Sequence, residues 1–162
     1  MKMRMLQGVC IAMILVLAGC GTNKKQEDLL NYINEELPKI VDIESAVVAG
    51  YGAISGENFT SDEVMLAALK EEVVPNSAQL IALAEAIVPK TKEVKAIHAL
   101  YVDAINNQHQ AFTIIIAAIE EGDSSIIAQA NEKLTDARRG MNDFLAELRV
   151  YAKKNDVTFQ ND

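Results

Sequence analysis

Residues 124–154 read SSIIAQANEKLTDARRGMNDFLAELRVYAKK, and their spacing decides the fold class. Ile127, Ala130, Leu134, Ala137, Met141, Phe144, Leu148 and Tyr151 alternate steps of three and four without a polar interruption, and Leu145 and Ala152 widen the stripe. That period puts them all on one side of an α-helix. Gln129, Asn131, Glu132, Lys133, Asp136, Arg138, Arg139, Asn142 and Asp143 fall between them and form the wet side. A lone amphipathic helix does not recover the entropy of ordering its backbone in water. The stripe must meet other stripes.

Three earlier stretches supply them. Residues 91–121 place Val94, Ile97, Tyr101, Ala104, Ala111, Ile115 and Ala118 on one row. Val102, Ile105, Phe112, Ile116 and Ile119 add a second row, which predicts the most buried helix of the chain. Residues 61–88 follow Thr60-Ser61-Asp62-Glu63, a capping-box pattern in which Thr60 and Glu63 satisfy first-turn amides reciprocally. Residues 28–54 carry Leu30, Ile33, Leu37, Ile40, Val47, Tyr51 and Ile54, with Glu44 on the same seam. Gly50, Gly52 and Gly56 loosen the first helix end, and Pro89, which lacks an amide hydrogen, separates the second helix from the third. Glu121-Gly122-Asp123 offers a left-handed glycine cap and then an N-cap aspartate. Short connections make successive helices antiparallel, so the expected fold is all-α, an up-down four-helix bundle. Pro38 and Pro75 kink or split their helices. Complete splitting gives the alternative, a three-helix bundle with an irregular N-terminal arm.

Ahead of this domain lies a leader. Lys2 and Arg4 make a positive start, and Leu6 to Ala18 is an uncharged, mostly apolar run, short for a membrane span and suited to a signal segment. It ends in Leu17-Ala18-Gly19-Cys20. The quartet resembles the lipobox of bacterial lipoproteins, which implies a thioether-linked diacylglycerol on Cys20 and cleavage just before it. The expected organisation is a removed signal peptide over residues 1–19, a lipidated tether over 20–27, a helical domain over 28–158 and a disordered tail over 159–162. Two or more acyl chains hold a protein firmly on a bilayer. Lys24 and Lys25 either touch anionic lipid or belong to a solvated tether.

Charge narrows the partners. The whole chain is formally −8, and without Lys2 and Arg4 it keeps 13 bases against 23 acids. Such a field repels nucleic acid, so no nucleic-acid role is expected. Cys10 lies within the leader and Cys20 is the other cysteine, so the mature domain has no disulfide or thiolate metal site.

The polar candidates read as structural. His98 and His109 are eleven residues apart, about 16 Å along a straight helix, too far to share one metal. They read as core-edge or partner-facing histidines. Glu44 reads as a rim residue, with Ile43 turned inward in its place; if buried, it would seek Arg138 or Arg139. Asn58-Phe59-Thr60 reads as loop and cap, and Glu35-Glu36, Glu71-Glu72 and Glu120-Glu121 as solvated faces, since helix neighbours point about 100° apart. The sequence offers no catalytic residues, no metal ligands and no cofactor motif, and the domain is read as non-enzymatic.

As a whole the chain resembles the small helical lipoproteins of unknown function of low-GC Gram-positive bacteria. The resemblance rests on Leu17-Ala18-Gly19-Cys20, Leu29-Leu30-Asn31-Tyr32-Ile33-Asn34, Pro89-Lys90-Thr91-Lys92-Glu93-Val94 and Ala130-Asn131-Glu132-Lys133-Leu134. It implies a lipid-anchored module at the extracytoplasmic face of the cell membrane, and it carries no catalytic residues over. The expected function is contact with another envelope protein or the cell wall. The alternative is a small-ligand carrier with a gap near Tyr51, Tyr101 and Tyr151.

Overall fold

A computed structural model describes residues 23–159. Within them every regular element is helical and there is no strand. Helix α1 (Lys24–Asn31) passes through a π-helical turn (Tyr32–Glu36) into α2 (Pro38–Ile54). Helix α3 (Asp62–Ala68) passes through a second π turn (Leu69–Val73) into α4 (Val74–Glu85). Two long helices follow, α5 (Lys92–Glu121) and α6 (Ile127–Lys154).

The prolines explain the π turns. A proline inside a helix has no hydrogen to give to the carbonyl four residues back, and its ring collides with that carbonyl. Widening the preceding turn relieves the collision: the Leu37 amide reaches back five residues to the Tyr32 carbonyl. The Val74 amide does the same to Leu69, one residue before Pro75. Neither proline splits its helix, and residues 24–54 keep helical backbone angles through Leu37 rather than forming an irregular arm.

Pairs of touching residues give the directions. Ala84 meets His98 and Ser77 meets His109, so α4 runs antiparallel to α5. Asn107 meets Lys133 and Ala104 meets Gly140, so α6 runs antiparallel to α5. Asp28 meets Thr91 and Tyr32 meets His98, which sets the first helical stretch parallel to α5. Helix α5 lies at the centre with ten buried residues, and both of its apolar rows pack inward as the spacing predicts. The most extensive packing is between α5 and α6. A Cβ at Gly140 would come to 3.1 Å from the Ala104 Cβ, so a glycine is what lets these two backbones approach.

Several boundaries differ from expectation. Helix α1 begins at Lys24, capped by the Asn23 side chain, so residues 24–27 are helical rather than tether. Ser61, not Thr60, caps α3 by accepting from the Val64 amide. Gly50 and Gly52 lie inside α2; Gly50 faces Val73 at close range, and only Gly56 serves the turn, with φ +62°. Gly122 caps α5 with φ +65°, as the sequence predicts, and a 3₁₀ turn (Ser124–Ile126) then leads into α6. Phe159 packs against the core instead of joining a tail. Leu17, Ala18, Gly19 and Cys20, with the rest of the leader, lie outside the described residues.

Candidate functional site

The most unusual chemistry in the described residues is a polar cluster sunk between the helices. Tyr32, from the first π turn, has its hydroxyl 2.9 Å from His98 Nδ1, and His98 Nε2 lies 2.9 Å from the Ala84 carbonyl oxygen. A carbonyl only accepts, so Nε2 carries the hydrogen. Nδ1 of the neutral ring then accepts from Tyr32. Burial lowers the His98 pKa, which keeps the ring in that neutral form, despite the opposing pull of the Ala84 carbonyl. Tyr101 stacks on His98, with ring centroids 6.2 Å apart, and leans on Phe144 from α6 at 5.2 Å.

Glu44 belongs to this cluster. Burial pushes its carboxyl up to about 6, offset in part by the nearby Tyr101 hydroxyl. Burial, with the Glu44 charge next to it, pushes the Tyr101 and Tyr32 hydroxyls far above the usual tyrosine range. The Tyr101 hydroxyl nevertheless makes no hydrogen bond of ordinary geometry. Glu44 is thus a half-buried acid at the rim of the core, with poor compensation on its inner side. The arginines offered as its partners are engaged elsewhere: Arg138 Nε donates to the Leu134 carbonyl and Arg139 pairs with Asp136. Ile43 also packs against the core, so the helix face is broad enough to hold both.

A second acid, fully buried, was not singled out by the sequence. Asp28 is 3% exposed and accepts three hydrogen bonds, from the Lys90 amide at 2.9 Å and from the Thr91 amide and hydroxyl at 2.7 Å each. Burial works to raise its pKa, but the bonds from Thr91 and Lys90 outweigh it and hold the carboxyl below its ordinary value. The arrangement clamps α1 to the start of α5. Beside it Lys25 pairs with Glu93, and Tyr151 from the end of α6 lies within electrostatic range of both.

His109 sits apart at the core edge, with Nδ1 2.7 Å from the Ser77 hydroxyl, whereas His98 is buried in the core rather than at its edge, so the two occupy separate polar contacts. Among the described residues no three His, Cys, Asp or Glu side chains gather as a metal site requires. Tyr51, Tyr101 and Tyr151 do not line one gap: Tyr51 packs on Phe112 at 4.8 Å, Tyr101 on Phe144, and Tyr151 lies beside the Asp28 clamp. A shallow depression of about 310 Å³ opens beside Val88, Lys95 and His98. Glu35-Glu36, Glu71-Glu72 and Glu120-Glu121 stand on the outer faces, where Glu36 pairs with Lys39 and Glu120 with Lys70. No described helix is long and apolar enough to cross a membrane.

Comparison with protein families, with curated proteins and with solved structures finds no match to the chain.

Proposed function

We propose that this chain is a lipid-anchored module of the bacterial cell envelope, held to the extracytoplasmic face of the membrane through Cys20. The observation that carries the reading is the apolar run Leu6 to Ala18 ending in Leu17-Ala18-Gly19-Cys20, a quartet with both small residues and the thiol in lipobox order. The body behind the anchor is inferred to be an up-down four-helix bundle of residues 24–54, 62–85, 92–121 and 127–154; the antiparallel residue pairs support it. Its role is non-enzymatic contact with another envelope protein or the wall. In support, His98 at the centre of the polar cluster uses both ring nitrogens within the protein.

The test is metabolic labelling of the host with palmitate, then mass spectrometry of the captured protein. The expected product begins at Cys20 and carries lipid on that residue. In a Cys20→Ala chain the label is lost and the leader stays attached. A wild-type chain retaining residues 1–19, or bearing an unmodified sulfur, would overturn the reading.

A further inference from the structure

Helix α5 separates two poles about 45 Å apart, since its 30 residues rise about 1.5 Å each. The chain enters at one of them. Asn23, the turn between α4 and α5, and the end of α6 meet there, tied by the Asp28 bonds to Lys90 and Thr91 and by the Lys25–Glu93 pair. That pole gathers Lys24, Lys25, Lys90, Lys92, Lys153 and Lys154, all exposed. Its acids are Glu27, Asp28, Glu85, Glu93 and Asp156; Asp28 is buried on its three donors, Glu85 lies beside exposed Lys95, and Glu93 is bonded to Lys25. Positive charge is therefore in surplus here, in a chain whose net charge is −8. The opposite pole, around the turns after α2 and α5, carries Glu57, Asp62, Glu63, Glu120, Glu121 and Asp123 against Lys70.

Two more observations bear on what the basic pole meets. Among the described residues, Val88, in the turn before α5, and Val150, one turn from the end of α6, are the most exposed large apolar side chains, at 73% and 64%. Both lie near the basic pole. Three residue steps separate Cys20 from Asn23, a span of at most about 11 Å even when fully extended.

We propose that the basic pole is a docking face for the anionic headgroups of the bilayer that holds the anchor, so that the module stands upright with its acidic pole outward. The proposal rests on lipidation at Cys20. Given the anchor, the short leash keeps the lysines within about one Debye length of the surface, where opposite charges attract. The acidic pole is repelled by the same surface. The exposed valines enter the headgroup layer beside the lysines.

The lipidated protein, reconstituted into phosphatidylcholine vesicles with or without phosphatidylglycerol, is labelled with a membrane-impermeant amine reagent, and each lysine is read by mass spectrometry. Lys90, Lys92, Lys153 and Lys154 are expected to label at least about threefold more slowly on the anionic vesicles. Lys70 and Lys133, away from this pole, keep their rates and serve as internal references. About 0.5 M salt, which shortens the electrostatic range to about 4 Å, restores the labelling. Replacing Lys90, Lys92 and Lys153 with Glu abolishes the lipid dependence at Lys154. Equal rates on both vesicles, or equal slowing at Lys70, overturn the docking face while leaving the anchor intact. Protein from the host that lacks lipid on Cys20 overturns both.

Discussion

Replacing Glu44 by glutamine is expected to stabilise the protein at neutral pH and to do nothing in acid. The carboxyl titrates at about 6 in the folded chain, against an ordinary value of 4.5. An acid raised on folding is bound by a proton more tightly in the native state than in the unfolded one. Between pH 4.5 and about 6 the native state therefore holds more protons, and stability falls as pH rises through that window. The shift is about one and a half units at about 1.4 kcal/mol each, or about 2 kcal/mol lost above the window. Glutamine has nearly the shape of the protonated acid and does not ionise. Urea melts of both proteins at pH 4 and pH 7.5 are expected to agree in acid, with the glutamine chain about 2 kcal/mol more stable at pH 7.5. Taking the difference between the two pH values cancels every other titrating group. A glutamine variant less stable than wild type at pH 7.5, or an offset that is the same at both, would refute the partial burial of this acid.

Three other substitutions probe the same architecture. Asp28→Ala leaves the Lys90 and Thr91 amides without acceptors and is expected to cost about 2–4 kcal/mol in a thermal melt near neutral pH. Because the folded carboxyl titrates below its ordinary value of 3.8, that difference shrinks as pH falls from 3.8 through the lower folded pKa; a pH-independent loss contradicts the clamp. Tyr32→Phe strips His98 Nδ1 of its donor and should lower stability by about 1–3 kcal/mol, with the ¹⁵N chemical shift of Nδ1 reporting the lost bond. Gly140→Leu drives a side chain into Ala104 on α5 and should destabilise by about 1–3 kcal/mol in urea; an unchanged midpoint would mean that the two helices do not touch there.

Much of the fold was legible because period and punctuation agreed. The stripe from Ile127 to Tyr151 and the two rows of residues 91–121 appear as read, and Gly122 and Pro89 stop the chain where their backbone chemistry requires. The candidate site was legible only in pieces. His98 falls at a helical step from Val94 and from Tyr101 and so could be placed near the core, but its donor Tyr32 lies sixty-six residues away, and no local pattern announces that pairing. Nothing in its local sequence marks Asp28 for burial; its three donors come from a turn after Pro89, so only the packing of α1 on α5 gives it a purpose. Glu44 sat on the seam in the sequence, and the cost of burying a charge argued for turning it outward. The structure leaves it half-buried, within electrostatic reach of Tyr101 and Tyr32, and the partial burial raises its pKa to ease part of the cost.

The Asp28 clamp also decides how the molecule bears a load. Tension entering at Asn23 travels little more than one helical turn before it reaches Asp28, which passes it sideways through three hydrogen bonds to the start of α5. A tug on the first residues is thus shared at once with the central helix and, through Gly140 and Ala104, with α6. Those bonds oppose the peeling of α1 from the start of α5.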